Sequence, residues 1–88
     1  MSHVELVKSD FKDVNGQRVY RIRATKDFEN AYRNVKKGEL GGYIRTLESL
    51  GTNSWVFGNA VLLNIVRLGV NSYVVGDFIY NNIYGTNI

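Results

Sequence analysis

The sequence predicts an all-β fold: a short three-sided β-solenoid of about two coils, preceded by an N-terminal cap that contains a β-hairpin. Three observations support this prediction. One segment of the chain repeats, another has the pattern of a hairpin, and the chain has no proline to interrupt a hydrogen-bonded strand. Its 88 residues suffice for one domain.

The repeat has a spacing of 18 residues: LGTNSWVFGNAV, which begins at Leu50, returns as LGVNSYVVGDFI from Leu68. Divided into sixes, this region has large apolar residues at the first place, small or medium-sized residues at the fifth until the last two sixes, and Gly and Asn between them, as corners require. Neither the spacing of a helix nor strict strand alternation explains the pattern. Three sixes would make one coil, so Leu50 should lie over Leu68, about 4.8 Å away. Val56 should lie over Val74 in the same way.

Charge divides the chain into two regions. Residues 1–45, the predicted cap, hold ten Lys or Arg and six Asp or Glu, whereas residues 46–88, the predicted coils, hold one Arg and two acidic residues. This boundary separates two parts of one structural domain. No stretch has the roughly 20 consecutive apolar residues of a membrane span, and the charged N-terminal segment lacks the apolar core of a signal peptide. A cytoplasmic protein is therefore expected.

The predicted cap begins with a hairpin. Asn15 and Gly16 form the dipeptide that best tolerates the positive φ angles of a two-residue turn. In the strand that follows, QRVYRIRA, apolar residues alternate with arginines, and HVELV upstream is the candidate partner strand. Apolar residues at helical spacing between Phe28 and Val35 predict a short helix. Three glycines then mark a loop with sharp turns before YI.

The segment YRIRATKDFENAYRNVKKGELGGYI, followed by NSWVFGNAV, resembles a family of bacterial and phage hexapeptide-repeat proteins. These proteins have a β-rich N-terminal cap, a KG[DE]LGG[WY][IV] signature and a left-handed β-helix. The signature matches residues 37–44, and the resemblance covers residues 18–61, although Arg45 stands where the family usually has an acidic residue. The resemblance implies a left-handed β-helix, which the repeat limits to about two 18-residue coils, fewer than the family usually has. Family members are often labelled transferase-like, a label that rests on fold analogy.

The sequence does not predict catalysis. The chain has no cysteine, and its one histidine, His3, lies near the N-terminus, where we expect a solvent-exposed side chain and no catalytic base for acyl transfer. Ser54 and Ser72 fit as small inward residues of the coils. Hydrogen bonds to the corner backbone explain the Asn and Asp residues without a metal. We therefore predict no enzyme, no cofactor and no metal.

Two surfaces are candidate binding sites. The first, the predicted basic face of the cap, could contact nucleic-acid phosphates or an acidic protein surface, although a solvated face of mixed charge is the alternative. It consists of Arg21, Arg23, Lys36, Lys37 and Arg45. The second, the predicted self-association surface, is the apolar edge of the last coil, which should pair with another chain unless the tail folds back over it. It consists of Phe78, Ile79, Tyr80, Ile83 and Tyr84.

The sequence thus predicts a non-catalytic, self-associating binding protein, a homodimer through its C-terminal coil. The resemblance implies a phage or prophage product that works in the host cytoplasm. Such a small product could bind and inhibit a host protein complex, for example a CRISPR-type defence effector. A self-assembling structural or scaffold protein and a basic nucleic-acid-binding module are the alternatives.

Overall fold

The computed structural model describes residues 2–63 and 66–80. Within these residues there are seven strands: β1 (Val4–Val14), β2 (Gln17–Ala24), β3 (Leu40–Ile44), β4 (Trp55–Val56), β5 (Val61–Leu62), β6 (Tyr73–Val74) and β7 (Ile79–Tyr80). A short 3-10 helix, Leu47–Ser49, follows β3. One sheet has five strands in the order β1-β2-β3-β5-β7, and a second consists of β4 and β6. The first three strands pair antiparallel, and the remaining pairs are parallel.

The hairpin at Asn15 and Gly16 is confirmed. These residues join β1 to β2 with φ angles of 52° and 79°, the left-handed conformation that such a turn requires. In β2, Ile22 is fully buried, and its neighbour Arg21 lies on the opposite face of the sheet. The strand alternation read from the sequence therefore describes β2 correctly from Ile22 to Ala24, whereas Val19, on the face of Arg21, is also buried.

The helix predicted between Phe28 and Val35 is not present. These two residues instead form an isolated antiparallel bridge, with backbone hydrogen bonds of 2.9 and 2.8 Å. Both side chains are buried, whereas Tyr32, which the same helical spacing would bury, is exposed. Phe28 and Val35 lie at the two ends of a loop, and both ends pack into the same core. A sequence pattern alone does not distinguish such a loop from two turns of helix.

The 18-residue repeat produces the parallel pairing that the sequence predicts. Leu50 pairs with Leu68 in an isolated bridge, and Val56 pairs with Val74 between β4 and β6. The same offset relates β3 to β5 and β5 to β7. Corner asparagines also recur at equivalent places with positive φ angles, at Asn53 (57°) and Asn71 (62°). Repeated side chains therefore do lie in successive strands, one repeat apart.

The left-handed β-helix is nevertheless wrong, although the all-β class is confirmed. The described strands form a mixed five-stranded sheet and a separate two-stranded sheet, without a closed three-sided coil. One side of the expected coil is reduced to the single bridge between Leu50 and Leu68. The antiparallel hairpin explains the difference, because β3 pairs with β2 on one side and with β5 on the other. The hairpin and the repeats thus share one continuous sheet.

The core is centred on Trp55, which is fully buried together with Ile22 and Ile44. The adjacent glycines at the start of β3 permit close packing against the first repeat. A Cβ added to Gly41 would lie 2.6 Å from the Val56 carbonyl oxygen, and one added to Gly42 would collide with a neighbouring carbonyl. The glycine pair in GELGGYI is therefore required by close backbone approach.

Candidate binding surfaces

Arg21, the first residue of the predicted basic face, is enclosed in a polar network. Its Nε donates to Asp10 Oδ2 at 2.9 Å, its Nη1 to the Gly41 carbonyl at 2.7 Å, and its Nη2 to the Tyr43 hydroxyl at 2.8 Å. The Tyr43 hydroxyl donates in turn to Asp10 Oδ1 at 3.1 Å. The Arg21 side chain is only 19% exposed. This network joins β1, β2 and β3, and it balances the arginine charge within the protein.

The other residues of the predicted basic face divide into two groups. Arg23 forms an ion pair with Glu5, with 2.6 Å between Nε and Oε2. The remaining three residues are exposed and have no ion-pair partner among residues 2–63 and 66–80: they are Lys36, Lys37 and Arg45. Two of the five predicted basic residues are therefore paired internally, and the other three are the ones available to an acidic partner.

The two outer strands of the five-stranded sheet differ in charge. β1 carries five charged residues and an interruption of its register between Val7 and Phe11; the charged residues are Glu5, Lys8, Asp10, Lys12 and Asp13. Charges and register breaks on an outer strand prevent pairing with another chain. β7 lies at the opposite side of the sheet, and Asp77 is the one charged residue between positions 68 and 80. β7 therefore lacks the protection that β1 has.

The backbone of β7 presents hydrogen-bonding groups away from the sheet. The Val61 N–H donates to the Phe78 carbonyl at 3.0 Å. The Leu63 N–H donates to the Tyr80 carbonyl at 2.8 Å. In a parallel pair, the residue between two such carbonyls directs its own N–H and C=O to the other side. The N–H and C=O of Ile79 therefore point away from β5, where no described strand pairs with them.

β6 has the same property at Tyr73. The Trp55 and Phe57 N–H groups donate to the carbonyls on either side of Tyr73, at 3.1 and 2.9 Å. The Tyr73 ring is 44% exposed and lies 5.0 Å from the ring of Tyr32, at an interplanar angle of 33°. Both rings also contact the buried Phe57 ring. An aromatic surface of Tyr32 and Tyr73 thus borders the outer side of β6.

The predicted self-association surface is partly described. Phe78 is 65% exposed and Ile79 54%, whereas Tyr80 is half-buried and packs against the core. The other two members, Ile83 and Tyr84, lie outside the described residues. Sequence reasoning missed three further exposed apolar residues beside these strands, which are Val70, Tyr73 and Val75. The repeat could have predicted this exposure. All three residues belong to the second copy of the repeat, and no third copy among the described residues stacks on it.

His3 is buried, so the expectation of a solvent-exposed histidine is wrong. Its Nε2 lies 2.8 Å from the Ser54 carbonyl oxygen, and its ring packs edge-to-face on Phe28 at 4.8 Å. Ser54 is fully buried, as expected for a small inward residue. His3 therefore fastens the N-terminal segment to the first repeat. In the part of the chain that the structure describes, no three His, Asp or Glu residues are grouped as a metal site.

Comparisons of the chain with models of known families, with curated proteins and with solved structures found no match. The resemblance of residues 18–61 to hexapeptide-repeat proteins therefore stays a prediction. No helix among the described residues is long and apolar enough to span a bilayer.

Proposed function

We propose that this protein is a non-catalytic binding protein that pairs with a second copy of itself through β6 and β7. The observation that carries the proposal is the contrast between the two sides of the five-stranded sheet: β1 is charged and irregular, whereas β7 is apolar with outward-directed main-chain groups at Ile79. An uncharged strand whose outer edge has no hydrogen-bond partners is a template for another strand. A second copy fits because this region carries only Asp77, so two identical surfaces meet with little charge repulsion.

Two-fold symmetry dictates how the copies would meet. An isologous contact places the same patch on both sides, so β7 would run antiparallel to the partner's β7 and the sheet would continue through both copies. A strand of two residues supplies few hydrogen bonds, each worth about 1 kcal/mol net. Most of the affinity would then come from burying exposed Phe78 and Ile79. The Tyr32 and Tyr73 rings would extend the contact toward the roughly 1,200 Å² of a stable interface.

Molar mass in solution tests this proposal. Light scattering after size exclusion, across micromolar concentrations, should give twice the 10.0 kDa of one chain. Ile79→Lys should give the monomer, because it places a charge at the centre of the contact. Leu47→Lys is the matched control: Leu47 is also exposed, but the 3-10 helix that contains it lies near β1, at the opposite side of the sheet, so the dimer should persist.

A monomeric native protein at every concentration would contradict the proposal. Growth beyond the dimer, abolished by Ile79→Lys, would instead favour the self-assembling scaffold. The predicted compartment for either form is the cytoplasm.

Inhibition of a host protein complex remains the biological role that the sequence resemblance implies. Within the predicted basic face, the residues available for such a contact are Lys36, Lys37 and Arg45. Target cleavage by a purified CRISPR-type effector should fall when the protein is added, and it should recover when all three residues are changed to Glu. Unchanged cleavage with the native protein would contradict inhibition of that effector. The nucleic-acid alternative has less support, because Arg21 and Arg23 are paired with carboxylates.

A further inference from the structure

A small cavity lies between the N-terminal segment and the first corner of the repeat. Its volume is about 170 Å³, and its lining includes Ser2, His3, Lys26, Thr52 and Asn53. Polar groups dominate this lining, and it contains no Asp or Glu. The cavity is distinct from the strands β6 and β7 that the proposed association uses.

Hydrogen bonds hold the walls of the cavity in place. On one side, Thr25 Oγ1 donates to the Ser2 carbonyl at 2.8 Å, and His3 Nε2 lies 2.8 Å from the Ser54 carbonyl oxygen. On the other side, Asn30 Nδ2 donates to the Asn53 carbonyl at 2.7 Å. The shape of the cavity is therefore set before any ligand enters, which reduces the ordering that binding costs.

Lys26 is the one lysine or arginine of this lining, and its charge is not balanced by a neighbour. It is exposed and forms no ion pair within the described residues, unlike most of the arginines: Arg18, Arg21, Arg23, Arg33 and Arg67 are all paired. The adjacent carboxylate of Asp27 accepts a hydrogen bond from the backbone N–H of Lys37 at 2.7 Å. The Lys26 ammonium is thus available to a ligand.

The side chains of Thr52 and Asn53 add neutral donors. Their side-chain polar atoms have no hydrogen-bond partner among the residues that the structure describes, although their carbonyls are bonded to Asn71 and Asn30. A hydroxyl, an amide and an ammonium without carboxylate competition form a donor set suited to oxygen anions.

We propose that this cavity binds a small oxyanion, a phosphate or a carboxylate, held by the Lys26 ammonium and by the Thr52 and Asn53 side chains. The volume of about 170 Å³ supports this class of ligand, because a water molecule takes roughly 30 Å³ of liquid and the cavity therefore has space for one oxyanion group. A single charged contact with two neutral hydrogen bonds corresponds to a dissociation constant of about 1 mM.

Titration of the ¹⁵N-labelled protein with sodium phosphate, and separately with sodium acetate, tests the site at constant ionic strength. The amide signals of His3, Thr52 and Asn53 should shift and saturate. Lys26→Met should weaken binding about tenfold, the loss expected for one charged hydrogen bond. Saturation with phosphate alone would identify the ligand as a phosphate, and saturation with acetate alone as a carboxylate.

Lys8→Met is the matched control, because Lys8 is also exposed and forms no ion pair with a described residue but lies outside the lining. Binding should be unchanged in this variant, and signals remote from the cavity should report the same fold in both variants. Shifts that increase linearly with both salts would overturn the proposal. Equal affinity of the native protein and Lys26→Met would also overturn it. Neither result depends on the oligomeric state, which the mass measurements test separately.

Discussion

Asn30 should be one of the residues on which the stability of the fold depends most. It is a buried polar side chain that joins the loop between β2 and β3 to both copies of the repeat. Its Nδ2 donates to the carbonyl of Asn53 at 2.7 Å and to that of Ser72 at 3.0 Å. Its Oδ1 accepts the N–H of Tyr32 at 2.9 Å. One side chain therefore satisfies three backbone groups of three separate segments.

Asn30→Ala removes these three hydrogen bonds, and a longer one of 3.4 Å to the Asn71 carbonyl, and leaves partly buried backbone groups without partners. A buried polar group that loses its partner costs about 1–3 kcal/mol, but water can reach part of this site, so we expect a total loss of about 2–4 kcal/mol. For a domain of this size, each kcal/mol lowers the midpoint of thermal unfolding by about 4–8 °C. The midpoint should therefore fall by about 8–32 °C.

Thermal unfolding followed by circular dichroism measures this loss. Asn34→Ala is the matched control, because Asn34 lies in the same loop, is exposed, and forms no side-chain hydrogen bond with a described residue. Asn30→Asp keeps the acceptor for Tyr32 and removes the two donors, so it should be at least as destabilising as Asn30→Ala. If Asn30→Ala and Asn34→Ala unfold at the same temperature, the proposed role of Asn30 in joining the repeats is incorrect.

Three further predictions concern the sheet. Arg21→Met should lower the free energy of unfolding by about 2–3 kcal/mol, measured in urea, because it removes the donor from a partly buried network; no change would contradict that role. Gly42→Ala should prevent folding or greatly reduce the midpoint, since a Cβ would meet backbone, whereas Gly69→Ala should be tolerated; equal midpoints would refute the close-packing argument. The Arg18 guanidinium, through its hydrogen bond, lowers the pKa of Asp13. The stabilisation of the folded state by this hydrogen bond is therefore fully present above the ordinary pKa of 3.8 and is lost as the pH falls through the lowered pKa. Because this carboxylate is fully exposed, Asp13→Asn should change the midpoint only slightly at neutral pH, and a large decrease there would contradict this reasoning.

Much of the strand pairing could be predicted from residues whose conformation is set locally. Asn15 and Gly16 tolerate positive φ angles, so they identified the hairpin without knowledge of the rest of the chain. The repeat identified the register of Leu50 with Leu68, because similar side chains stack best on each other. The apolar spacing of Phe28 and Val35 led to the wrong prediction of a helix, because the same spacing fits a loop whose two ends enter one core.

The candidate sites could be predicted less well. The sequence identified Phe78 and Ile79 as exposed apolar residues beside an outer strand, and both are exposed. It did not reveal that Asp10 and Tyr43 enclose Arg21, since these three residues come from separate strands. The exposed Tyr32 and Tyr73 pair was also missed, because its two rings meet only after the loop packs on the repeat.

The all-β class, the hairpin turn and the 18-residue register follow from local features of the chain, because these depend on backbone preference and on side chains that recur along it. Long-range packing, by contrast, joins the repeats to the hairpin in one mixed sheet, and the described strands leave the three-sided coil unclosed. Long-range packing also buries His3 and places Lys26, which forms no ion pair with a described residue, in the lining of a cavity. Burial and charge balance depend on segments distant in sequence, and those contacts exist only once the strands have assembled.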